Sequence, residues 1–198
     1  KSPVVNFVRK HQRRENTKLL NQYLEEEKEL GLGDEAVKAA QDALRSVSAL
    51  LNMSVVSEND GNRFNNLVKA VGNRLIEARR EYRRVTRVTW RQERETKKIL
   101  EKMKELELDV RGITALENNI LKLHKECIDK LDKVLEHYSK IKSEVTALSL
   151  VSHPLGKGSV ILQNMKKYLE DTLYELSEVY KKQTEINKKV HGIISEAR

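Results

Sequence analysis

Cysteine occurs once in this 198-residue chain, proline twice and glycine eight times, and aromatic residues make up only 5%. The lone Cys127 excludes an internal disulfide and suits a reducing compartment, so a cytoplasmic setting is expected. With so few helix breakers, the chain lacks the punctuation that a turn-rich sheet protein needs. No apolar run approaches the ~20 residues that a membrane-spanning helix requires. Catalytic and cofactor signatures are missing too: the five histidines are scattered, with no nucleophile motif and no glycine-rich cofactor loop. A non-enzymatic protein without a cofactor is the expectation. Because the chain opens on Lys1 rather than methionine, it reads as a fragment or a processed form, and the lack of a leader carries little weight.

What is present is charge. Charged residues make up 34% of the chain and hydrophobic ones 38%, a composition that suits long helices with a narrow core. The net charge of +8 is unevenly placed. Residues 1–14 hold five cations and no acid, and residues 74–98 hold ten cations against four acids, so the remainder of the chain is negative. Positive charge is therefore concentrated in two short segments.

Glycine and proline divide the chain into helical stretches. Pro3 suits a helix first turn, and an apolar-basic segment runs over about 4–30. The sequence Gly31-Leu32-Gly33-Asp34 ends it and offers Asp34 as the N-cap of a second helix over 34–51. Val37, Ala40, Leu44, Val47 and Leu51 mark that helix's apolar face. A heptad then runs from Val68, with Val71, Ala78, Val85, Gln92, Ile99, Leu106, Ile113, Ile120 and Cys127 among its d positions. Gly112 followed by Thr114-x-x-Glu117, which resembles a capping box, offers a stop and restart, but because the register holds in phase through the glycine, one continuous helix of about 62–148 is expected, roughly 130 Å long at 1.5 Å per residue. After the turn at residues 149–159, a last helix to about 195 has a seam of Leu162, Met165, Leu169, Leu173, Leu176, Val179, Ile186, Val190 and Ile193. The whole predicts an all-α fold: a single elongated domain over 1–198, an antiparallel bundle or coiled coil with one very long central helix.

The seam has two polar interruptions, Thr89, Gln92 and Thr96 in one place and Glu117 with His124 in another. The first has no compensating apolar stripe, so that region is expected to pack weakly, to open to solvent or to meet another subunit, and a homodimer is among the expectations. His124 and Cys127 stand at a spacing that metal ligands can use on a helix, but no second ligand pair accompanies them, and a core histidine and thiol is the preferred reading. The sequence Pro154-Leu-Gly-Lys-Gly-Ser159 lacks the spacing of a phosphate loop and reads as turn chemistry.

The segment Glu77–Lys98 carries the candidate site. Eight arginines fall between Arg74 and Arg94, with the only tryptophan among them. With Tyr82 and Val85 in the seam, Arg80, Arg84, Arg87, Arg91, Arg94 and Lys98 form one outer stripe spaced four and three apart, about 27 Å long. Arg83 and Trp90 flank it, the indole within reach of Arg87 and Arg94. If Glu77–Arg80, Glu81–Arg84, Arg91–Glu95 and Glu93–Lys97 pair, six cations remain over. Guanidinium forks match carboxylates, so the leading expectation is a scaffold or adaptor that docks an acidic protein surface on Arg80, Arg83, Arg84, Arg87, Trp90, Arg91, Arg94 and Lys98. The runner-up is a peripheral, anionic-membrane-binding or membrane-shaping dimer, similar to BAR domains in size and charge but with no residue motif to carry the likeness. Val4, Val5, Phe7 and Val8 beside five cations also suit a short membrane-surface helix, but the frayed start of the first helix or the remnant of a larger domain is the preferred reading. Nucleic acid ranks third, since only Trp90 and the seam residue Tyr82 offer aromatic surface and no known docking motif accompanies them.

Overall fold

A computed structural model describes residues 2–30, 33–54, 57–105 and 112–196, with the side chains of 26–30, 58 and 196 left aside. Among the described residues the secondary structure is five α-helices: α1 (Pro3–Leu30), α2 (Asp34–Leu51), α3 (Glu58–Glu105), α4 (Ile113–Leu148) and α5 (Lys157–Glu196). The fold is an all-α helical bundle. Local chemistry sets several of the ends. Ser2 starts α1, its hydroxyl accepting the Val5 N–H at 3.3 Å and its carbonyl the Asn6 N–H at 3.3 Å, with Pro3 in the first turn. Gly33, not Asp34, is the N-cap of α2 and contributes its carbonyl to the Val37 N–H. Asp34 sits instead in the first turn, where its charge favours the helix dipole and pairs with Lys38 at 2.9 Å.

The long central helix is shorter than its heptads imply. α3 ends at Glu105, and residues Ile113–Leu148 form the separate helix α4 rather than its continuation. Gly112 has φ +69°, in the left-handed region that breaks an α-helix, and its carbonyl accepts the Leu116 N–H to open α4. The two helices run antiparallel. The Tyr82 O–H donates to the Leu131 carbonyl at 3.1 Å, while farther along the pair Lys104 meets Glu117 at 2.7 Å. The heptad survives the break by arithmetic. Seven residues separate Glu105 from Ile113, one whole heptad, so the count stays in phase although the chain reverses.

The helices gather into two compact units. Unit 1 holds residues 1–32, 87–127 and 181–198, so it packs α1 with the C-terminal part of α3, the start of α4 and the end of α5. Unit 2 holds residues 33–86 and 128–180, packing α2 with the N-terminal part of α3, the end of α4 and the start of α5. Each is thus a four-helix packing. In unit 2, α2 contributes Ala36, Ala40, Ala43, Val47 and Leu50, which lie at or below 1% exposure. This face is offset by one residue from Val37, Leu44 and Leu51, which are only half-buried. The reason is steric: the alanine row lets α2 approach its neighbours closely, and the larger side chains flank the contact. Phe64, Val71, Ala78 and Val85 of α3, Val134 and Ile141 of α4, and Leu162, Met165 and Leu169 of α5 complete this core. Lys130–Glu175 at 3.1 Å ties α4 to α5 in unit 2, and Lys182–Glu126 at 2.9 Å does the same in unit 1.

Candidate functional site

The helix α3 presents the arginine segment as its register requires. Tyr82, Val85, Val88, Thr89, Gln92 and Thr96 are buried, whereas Arg80, Arg83, Arg87, Arg94 and Lys98 are exposed and Arg84 and Arg91 are half-buried. Arg80, Arg83 and Arg84 belong to unit 2; Arg87, Trp90, Arg91, Arg94 and Lys98 belong to unit 1.

Three of the four ion pairs expected along the helix form. Arg80 meets Glu77 at 2.7 Å, Arg84 meets Glu81 at 2.9 Å, and Lys97 meets Glu93 at 3.1 Å. The fourth is different: Glu95 pairs with Lys98 at 3.4 Å, which leaves Arg91 without it. Arg84 is also claimed by Glu35 of α2 at 3.0 Å, and Arg74 by Asp42 at 4.0 Å. Among the described residues, Arg79, Arg83, Arg87, Arg91 and Arg94 then carry no ion pair, five cations where the sequence count leaves six. Three of them, Arg87, Arg91 and Arg94, lie within two turns of unit 1, spanning about 10 Å along the helix. Trp90 stands between them with 50% of its surface exposed, and no cation of the described residues sits over its ring.

Beneath this face lies the polar seam of unit 1. The Gln92 amide donates to Asn187 Oδ1 at 2.6 Å and to the Gln183 carbonyl at 3.4 Å. The Gln183 amide donates to Thr89 Oγ1 at 2.7 Å, and the Tyr23 O–H from α1 donates to the same Asn187 oxygen. Tyr23 also packs edge-on against His191, ring centroids 5.4 Å apart. The residues that fill the gap are therefore Gln183 and Asn187 of α5 and Tyr23 of α1, none of which the hydropathy pattern singles out. Their one signal is negative: between Val179 and Ile186 the apolar spacing of α5 is interrupted at Gln183, opposite Thr89.

His124 is fully buried in the same unit, and neither ring nitrogen has a hydrogen-bond partner among the described residues. Burial drives its pKa down to about 4, with Glu93 pulling the other way and Lys97 adding to the depression. The imidazole is thus neutral at ordinary pH. Cys127 is buried one turn on, and no group of three or more acids, histidines or cysteines among the described residues is placed to hold a metal ion. No helix among the described residues is long and apolar enough to cross a membrane.

No known protein family, curated protein or solved structure matches this chain. The site therefore rests on its own chemistry. Arg87, Arg91 and Arg94 present fork-shaped donors to solvent beside an exposed indole. Glu93 and Glu95 engage Lys97 and Lys98, whereas Arg87, Arg91 and Arg94, with Arg79 and Arg83 of unit 2, carry no ion pair among the described residues.

Proposed function

We propose that this protein is a helical binding module, not an enzyme, which docks an acidic protein surface on the α3 face formed by Arg87, Trp90, Arg91 and Arg94. The observation that carries the reading is the selective pairing along α3. Glu77, Glu81, Glu93 and Glu95 are each engaged by another cation, while these three arginines have none. Unpaired like charges at this spacing oppose one another, and a carboxylate-bearing partner relieves that repulsion. Bidentate guanidinium–carboxylate contacts supply orientation, and Trp90 supplies apolar area at the centre. Arg80 and Lys98 stand at the edges with their charge already shared. Arg84, held by two glutamates, belongs to the fold more than to the docking face.

The polar seam that pointed to a second copy is met by α5 and α1 of the same chain, so the proposal does not require a homodimer. Its test is affinity capture with the full chain and the R87E/R91E/R94E variant. The wild type is expected to retain acidic proteins and the variant to lose them by on the order of 100-fold, counting about 1 kcal/mol per reversed charge. Helicity by circular dichroism stays unchanged, because these side chains bear no ion pair in the fold. Capture that the triple reversal leaves intact overturns the reading.

A further inference from the structure

The first three turns of α1 stand apart from the bundle. Every residue from Ser2 to His11 is exposed, and α1 meets the core of unit 1 only from Gln12 onward, through Asn16 and Tyr23 at 0% and 5% exposure. Val4 and Phe7 are 70% and 71% exposed and Val5 and Val8 nearly half. At about 100° per residue these four side chains share one arc of the helix, roughly 160° wide. The complementary arc holds Arg9, Lys10, Arg13 and Arg14, with no acid before Glu15, which turns toward Lys18 at 3.5 Å. None of the four cations has an acidic partner among the described residues. Arg9 borders Val5 on one side of the apolar arc, and Arg14 borders Phe7 on the other.

We infer that this segment of α1 is an interfacial helix that lies on an anionic lipid surface, Val4, Phe7 and Val8 entering the acyl boundary. An arc that holds all four apolar side chains, with His11 among them, set against one that holds Asn6 and the four cations, is what such a surface selects: apolar side chains gain burial while cations on both flanks reach phosphates. The helix is already formed, since Ser2 caps its first turn, so binding carries no folding cost for the backbone. A second copy of the chain is a poor occupant, because it brings the same four cations to the contact. The α3 face plays no part in this inference, and the two readings stand or fall separately.

Co-sedimentation of the full chain with phosphatidylcholine vesicles, with and without phosphatidylserine, tests it. Binding is expected only to the anionic vesicles and fades as salt rises. V4S/F7S lowers the partition by on the order of 100-fold, about tenfold for each of the two apolar side chains lost, and R9E/R13E abolishes it. R87E/R91E/R94E leaves vesicle binding within about twofold, while it is the variant that removes acidic-protein capture. As a direct reading of depth, Phe7→Trp in a Trp90→Phe background shows a blue-shifted emission with anionic vesicles and none with neutral ones. Equal binding to both vesicle types, no binding to either, loss caused only by the α3 reversal, or a fall in oligomeric state caused by V4S/F7S each overturns the inference.

Discussion

At His124 a fully buried imidazole meets no hydrogen-bond partner among the described residues, and its neutral form is what makes that tolerable. The group's pKa falls from the ordinary 6.5 to about 4 on folding, chiefly through burial. The unfolded chain therefore takes up a proton as pH drops below 6.5 while the folded chain does not, and stability is lost across that window down to about pH 4. The loss approaches roughly 3 kcal/mol at the acid end. Urea midpoints measured between pH 7 and pH 4 are expected to decline steeply for the wild type. His124→Leu, which keeps the volume and removes the titration, flattens this slope. Tyr138 acts at the other end: burial raises its pKa, so folding holds it protonated and stability declines as pH climbs past 10. Asn187 is the hub of the polar seam, accepting from both Gln92 and Tyr23. Asn187→Leu removes the acceptor that two buried donors share and is expected to destabilise by about 2–4 kcal/mol in urea unfolding. The two sides of this seam differ in legibility. Thr89, Gln92 and Thr96 are visible in the sequence because they break a heptad on a long helix. Gln183 and Asn187 are invisible, because a polar residue at a seam position reads as a gap until its partner across the bundle is known.

Among the helices, the same glycine chemistry acts with opposite signs at two positions. Gly112 holds φ +69° before α4, and nothing within 4 Å blocks an added Cβ there. Gly112→Ala is therefore expected to cost about 1 kcal/mol from backbone strain alone. Gly72 lies inside α3, equally without neighbours around an added Cβ. Gly72→Ala is expected to stabilise by roughly 0.5–1 kcal/mol through helix propensity. Thermal melts of the two variants should move in opposite directions, and a shift of the same sign in both refutes the assignment of Gly112 to a helix break. Helix positions, the reversal after α4 and most seam residues of α3, α4 and α5 are legible from periodicity. The break at Gly112 is not, because periodicity reports which face of a helix is apolar and says nothing of direction. A separation of one heptad between α3 and α4 leaves the pattern intact while the chain turns back. On α2, Ala40 and Val47 lie on the buried face as read, while Val37, Leu44 and Leu51 miss it by one residue for a related reason: hydropathy favours valine and leucine, and close packing favours alanine.

For the molecule as a whole, the decisive asymmetry is where polar groups are buried. Of the eight buried polar residues described, Asn16, Thr89, Gln92, Thr96, His124, Gln183 and Asn187 lie in unit 1, and only Thr172 in unit 2, bonded to the Tyr168 carbonyl of its own helix. The Tyr138 hydroxyl and His137 Nδ1 are the unbonded exceptions among the described residues of unit 2. Thr96 Oγ1, Gln92 Oε1 and the His124 nitrogens add unmet demand to unit 1. A half-satisfied polar core gives up both apolar burial and hydrogen-bond energy, so it opens at lower free energy than an apolar one of similar size. Native-state hydrogen exchange is expected to show this within single helices: in α3, amides of 58–86 exchange more slowly than those of 87–105. The same step appears in α5, with slow exchange over 157–180 and faster over 181–196, and in α4 with the order along the chain reversed. A urea series should lower the protection of unit 1 first. Replacing Gln92, Asn187 and Tyr23 together by Leu, Leu and Phe removes the polar demand and is expected to raise unit 1 protection selectively, leaving unit 2 rates as they were. Uniform protection along α3, or an increase shared equally by both units, would show that the polar seam does not make unit 1 the weaker unit.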